Sequence, residues 1–167
     1  MFEIIIKEKA KIEKLDSNDF DITEAIYSIY KNGKFMIFIN WNGFYIPMNG
    51  STLSQIFDDI IEMLEALLDI ESNNFSVNFL DSCFTAVWEF SKENENIKIK
   101  SEWIEIAPYN LKNITIEELN KVSNIVKINK VDFIRKWDFL IKIIKDDLII
   151  SGYDIDLEGL EYLRNLK

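Results

Sequence analysis

The chain contains no histidine, so it lacks the commonest general base and the commonest transition-metal ligand. Ser–His and Cys–His nucleophilic catalysis are thereby excluded. A single cysteine, Cys83, cannot close an intramolecular disulfide, and one thiol without histidine cannot build a zinc site. Flanked by Ser82 and Phe84 at the start of a strand, Cys83 is expected to be a small buried hydrophobe. Two prolines and five glycines leave no low-complexity linker and no glycine-rich phosphate loop. No apolar run approaches the roughly 20 residues that cross a bilayer. Met1-Phe2-Glu3-Ile4-Ile5-Ile6-Lys7 does not read as a signal peptide, so the cytoplasm is the expected location.

The most informative shortage is local. Between Lys34 and Lys92 there is no basic residue, while Asp58, Asp59, Glu62, Glu65, Asp69, Glu71, Asp81 and Glu89 all fall there. Residues 51–100 hold three lysines against ten acids, a net of −7 within an overall −10. Such a field repels nucleic acid and anionic membrane and favours a basic protein partner, although a solvated acidic face also keeps a protein soluble. Arginine occurs only at Arg135 and Arg164; with abundant Ile, Asn and Lys this suggests an AT-rich bacterial or phage genome.

What is present is enough for a core. With 48% hydrophobic and 13% aromatic residues, the 167-residue chain fits one domain over 1–167. Phe2, Ile4, Ile6, Ala10 and Ile12 share one parity, as in a half-buried strand. Residues 22–30 carry helical spacing and an Asp21–Glu24 capping signature. Their β-branched and aromatic content, and Asn32-Gly33 beyond, favour a strand. Residues 35–41 and 44–48 flank Asn42-Gly43, which makes a three-stranded meander over the N-terminal 50 residues. Leu53, Ile56, Phe57, Ile60, Leu64, Leu67 and Leu68 then predict one helix over 51–70. Alternation resumes at Phe75, Val77, Phe79, at Phe84, Ala86, Trp88, Phe90 and at Ile97, Ile99. A switch of apolar parity at Trp103-Ile104 predicts a bulge or a sharp twist. Thr115 and Glu118 form a capping box, Asn129 and Asp132 repeat that signature, Gly152 stops the long helix, and Asp156 opens a terminal one. The expected class is α+β: a mainly antiparallel sheet of about six strands over 1–50 and 75–107, an acidic helix at 51–70, and helices over 115–167.

Chemistry-bearing candidates are few. Glu102 with Glu105, or Glu89 with Glu102, could supply a glycosidase-like carboxylate pair, but acids alternating along strands read first as a wet sheet face. Asp154-Ile155-Asp156-Leu157-Glu158-Gly159 imitates half a calcium loop, then fails at Glu161 and Asn165. No catalytic residue, metal or cofactor is assigned. Asp58, Glu62, Glu65 and Asp69, at steps of four, three and four, form one acidic stripe along the expected helix. Like charges at that spacing cost about 0.2–0.5 kcal/mol per pair, and acids near a helix end oppose its dipole. Such local conflict marks either function or a tolerated surface. Trp41, Phe44 and Tyr45 place large rings beside a tight turn and are candidate partner anchors.

The segment Phe35-Met36-Ile37-Phe38-Ile39-Asn40-Trp41-Asn42-Gly43-Phe44-Tyr45, followed by the acidic helix from Ser51, resembles the small acidic immunity proteins of bacterial polymorphic-toxin and contact-dependent inhibition systems. The resemblance is one of architecture and composition over the first half of the chain, and no residue role is carried over by position. It implies a cytoplasmic inhibitor that binds a cognate basic toxin domain and blocks its active site. The alternatives are a carboxylate-based enzyme acting on carbohydrate, a phage-encoded DNA mimic, and a self-assembling scaffold.

Overall fold

The computed structural model describes residues 1–8, 11–31, 35–106, 115–154 and 162. Along them run β1 (Phe2–Glu8), α1 (Ile22–Tyr30), β2 (Met36–Trp41), β3 (Phe44–Asn49), α2 (Gly50–Gln55) and α3 (Phe57–Leu68). There follow β4 (Asn74–Asp81), β5 (Phe84–Glu93), β6 (Asn96–Ile106), α4 (Ile116–Val122), β7 (Ile125–Asn129) and α5 (Lys130–Ser151). The class is α+β, but the strands form two antiparallel sheets, ordered β1-β2-β3 and β4-β5-β6-β7. Asn32-Gly33 and the residues after Asp154 other than Tyr162 lie outside the described residues, and with them the calcium-like loop and the terminal helix.

The strand expected at residues 22–30 is a helix. Asp21 caps it by accepting from the Glu24 N–H at 2.9 Å, and the Glu24 carboxylate reaches back to the Phe20 N–H at 2.8 Å. The helical spacing of Ile22, Ala25, Ile26 and Ile29 buries all four side chains, and that burial outweighs the weak β preference of isoleucine. The N-terminal meander is therefore β1, β2 and β3, with α1 crossing between the first two.

Two further corrections concern segments 51–70 and 125–129. The single helix expected from Ser51 is broken at Ile56 (φ −108°, ψ 9°), which ends α2 and precedes α3. The apolar residues run through the break without a gap in period, so spacing alone cannot reveal it. The seventh strand, β7, is five residues long and sits between two helix-start signals, which hide it. It completes the second sheet by pairing Ile125–Asn129 with β6.

Other local readings match the structure. Asn42 (φ 52°) and Gly43 (φ 96°) form the β2–β3 turn with both residues in the left-handed region. Along β6, Trp103 faces Ala86 and Glu105 faces Thr85, so Ile104 is the extra residue of a bulge. Trp103 and Ile106 are buried while Ile104 is half exposed, which is the parity switch seen in the sequence. Asn129 caps α5, and Gly152 (φ 103°) closes its far end.

One buried cluster joins both sheets to α5. Phe2 of β1 lies within 6.2 Å, ring centre to ring centre, of Trp41, Trp88, Phe133 and Trp137. Trp41 in turn packs at 5.0 Å from Trp88 and edge-on at 5.3 Å from Trp103. Rings of this size contribute roughly 1.5–3 kcal/mol each through burial, with more from edge-to-face contact. Among the described residues, no helix is long and apolar enough to cross a membrane.

Candidate functional site

The break at Ile56 changes the electrostatics of the acidic helix. Asp58 and Asp59 now stand in the first turn of α3, where the positive end of the helix dipole favours carboxylates. At the other end, Lys92 of β5 donates to the Ala66 carbonyl at 2.7 Å and to the Asp69 carbonyl. A cation from a distant strand thus caps the helix that has none of its own. Glu62 and Glu65 lie between these two compensated ends.

Asp58, Glu62, Glu65 and Asp69 are all solvent-exposed, as a surface stripe requires. The ion pairs include Lys31–Asp16, Lys100–Glu89, Lys121–Glu117, Lys127–Glu93 and Arg135–Asp132, and among the described residues none of these includes an acid of α3. Asp59 was not singled out by the stripe, yet it is the most perturbed of these acids. Burial, then the charges of Glu62 and Asp58, raise its pKa to about 6. Asp58 is raised by burial and by Asp21 and Glu62.

Asp59, Glu62 and Ala66 of α3 form one wall of a groove of about 450 Å³; its other wall is β4 from Phe75 to Leu80. Consecutive residues of both parities line it, so the groove follows the edge of the strand and not one sheet face. Leu80 is 74% exposed beside it, and Leu68 and Ile70 are exposed at the end of α3.

The second cavity, about 500 Å³, is lined by Asp16, Asp19, Glu24, Lys31 and neighbouring side chains. Its acids are already engaged. Asp16 accepts from Asn18 and faces Lys31, Asp19 accepts from Ser28 and Tyr153, and Glu24 holds the Phe20 N–H. Internal bonding explains those carboxylates without a ligand.

The aromatic candidates separate. Trp41 is completely buried and its indole donates to the Ser123 carbonyl at 2.8 Å, so it drops out of the set available to a partner. The ring turns inward because the hairpin end packs across the second sheet. Phe44 is partly buried against the core, and Tyr45 is 52% exposed with its ring edge-on to Phe38. Asn42 at the hairpin tip donates to the Ile125 carbonyl of β7, whereas α3 packs beside β4. β4 and β7 are opposite edges of one sheet, roughly 14 Å apart at the usual strand spacing. Tyr45 and the acidic stripe are therefore not one patch.

Glu89, Glu102 and Glu105 lie exposed on β5 and β6 and line neither groove, and Glu89, which pairs across from Ser76, is tied to Lys100 at 2.9 Å. Cys83 is not a core residue. It is half-buried in the two-residue turn between β4 and β5, with its N–H held by Asp81 at 3.0 Å. Among the described residues, no three Cys, Asp or Glu side chains converge to hold a metal ion. Comparison with protein-family models, curated proteins and solved structures returns no match.

Proposed function

We propose that the chain is an acidic binding protein that neutralises a basic protein partner, in the manner of a bacterial immunity protein holding a cognate toxin domain. The observation that carries this reading is the row Asp58, Glu62, Glu65, Asp69: exposed, without a partner cation along its middle, and beside an open groove. The acids of the other cavity serve internal bonds; among the described residues Asp58, Glu62 and Glu65 serve none, and Asp69 accepts only from the nearby Glu71 N–H at 3.0 Å. An acid row of this kind steers a basic partner and raises its association rate, and that steering weakens as salt rises. Leu80, Leu68 and Ile70, not Trp41, are the exposed apolar residues near enough to be covered on docking.

The test combines capture and rescue. The protein is used as bait in its native cell extract beside a variant carrying Lys at 58, 62, 65 and 69. A basic polypeptide retained only by the unaltered protein, and toxic to cells unless the protein is co-produced, is the expected result. A retained partner whose binding keeps the same salt dependence after charge reversal refutes the reading.

A further inference from the structure

The two-residue turn at Ser82-Cys83 sets Asp81 opposite Phe84. In such a hairpin the hydrogen-bonded pairs then alternate from that point, so they fall on odd-numbered residues of β4. The Lys92 N–H donating to the Asn73 carbonyl at 2.9 Å continues the same alternation one residue beyond the strand. The backbone N–H and C=O groups of Ser76, Asn78 and Leu80 therefore point away from β5. Among the described residues no other strand pairs with that side of β4, and all three residues are exposed.

Natural sheets blunt such edges with proline, lysine, bulges or short length. β3 carries Pro47, but β4 runs eight residues, Asn-Phe-Ser-Val-Asn-Phe-Leu-Asp, with no proline, no lysine and no register shift. What stands beside its open edge is the acidic wall of α3. We infer that the free edge of β4 is a docking site for an extended lysine- or arginine-bearing segment of a partner protein, added to the sheet as a further strand.

Charge decides the occupant. Side chains of an added strand alternate between the two faces of the sheet, and one set projects towards the flank of α3. There they meet Asp59 and Glu62, which have no ion pair among the described residues. A cation at every second position satisfies both carboxylates, and the partly buried Asp59 gains most from it. A second copy of this chain would bring its own α3 acids to the same place, so self-pairing is opposed. The inference deepens the proposed function and rests on it for the sign of the partner's charge.

The test uses the unaltered protein and a blocked heptapeptide, Val-Lys-Val-Lys-Val-Lys-Val. Binding is followed by NMR together with amide hydrogen exchange. Two further peptides carry N-methyl groups, one on every valine and the other on every lysine. In an added strand only one of these sets turns its N–H groups towards β4. The expected result is slowed exchange at Ser76, Asn78 and Leu80, with about tenfold or greater loss of affinity for one methylated peptide and little for the other. The matching peptide with glutamate in place of lysine should not bind, and Asp59→Asn with Glu62→Gln should weaken the lysine peptide several-fold.

Equal binding by both methylated peptides, no binding at about 1 mM, or unchanged edge amides overturns the inference. So does edge protection that appears without peptide as the protein dimerises. Peptide binding that protects no edge amide leaves the acidic-row reading standing and removes only the strand addition. The reverse holds if charge reversal on α3 fails against a whole partner while the edge amides are protected.

Discussion

Replacing Gly50 by alanine is a sharp test of the packing, because general rules and this structure give opposite signs. Glycine in the first turn of a helix normally gains up to about 1 kcal/mol on replacement by alanine, through the unfolded chain. Here a Cβ on Gly50 would fall 2.4 Å from the Cβ of Tyr30. Tyr30 has no room to yield. Its ring is stacked on Phe35 at 4.3 Å, and its hydroxyl donates to the buried Asp147 at 2.8 Å. Since the clash is between two Cβ atoms, α1 must move away from α2 by about 1 Å. Overpacking of this kind costs about 1–3 kcal/mol, and loosening the Tyr30–Asp147 bond adds about 1–3 kcal/mol. After an unfolded-state gain of about 1 kcal/mol, the net loss should be about 1–5 kcal/mol, or roughly 2–20 °C in Tm. Urea unfolding with an unchanged slope measures it. Trimming Tyr30 to alanine leaves the offending Cβ and should not rescue the variant. Stability equal to or above that of the parent would refute the argued packing of α1 on α2.

Three other outcomes follow from single contacts. Lys92→Met removes the ammonium that caps α3 and should cost about 1 kcal/mol in thermal unfolding, with the difference shrinking in about 1 M salt; an unchanged Tm would remove the cap. Trp41→Phe keeps most of the ring but leaves the Ser123 carbonyl without its donor, for a loss of about 1–3 kcal/mol, while partner affinity measured by calorimetry stays unchanged because Trp41 is internal. Asp59, with its pKa raised to about 6, binds a proton more readily folded than unfolded. Its contribution to stability should therefore increase as pH falls through 6 towards about 4, seen as the difference in Tm between the protein and Asp59→Asn. A difference that is flat with pH would show that Asp59 is not perturbed.

Much of the architecture was legible because its signals are local. The left-handed turn at Asn42-Gly43, the capping box at Thr115–Glu118, the Asn129 cap, the Gly152 stop and the bulge at Ile104 each depend on a few neighbouring residues. The errors arose where distant packing decides. Residues 22–30 satisfy both helical spacing and β-branched composition, and burial against α2 and α5 settles them as helix. The break at Ile56 is silent in the pattern because Leu53, Ile56, Phe57 and Ile60 are buried on both sides of it. Trp41 and Cys83 exchange their expected environments: the ring beside the turn is internal, and the thiol expected inside sits at a hairpin tip. The groove beside the acids was invisible for a simpler reason. Its walls come from α3 and β4, and only the fold shows that Asp59 faces the open edge of that strand.

The acidic row can now be asked whether it serves stability or binding. The dipole accommodates Asp58 and Asp59 at the start of α3, and Lys92 accommodates its end, so the unrelieved repulsion centres on Glu62. That residue stands four positions from Asp58 and three from both Asp59 and Glu65. Each of these three like-charged neighbours costs about 0.2–0.5 kcal/mol, so Glu62→Gln should stabilise the protein by about 0.6–1.5 kcal/mol at low salt. If the row exists to attract a basic partner, the same change should slow association with that partner and flatten its salt dependence. Stability and binding would then move in opposite directions, as they do where a site is kept at the expense of the fold. Stopped-flow association rates beside urea unfolding of the same variant provide both measurements. A variant that is less stable, or that binds at an unaltered rate, would make the row a structural feature of α3 and end the case for it as a docking surface.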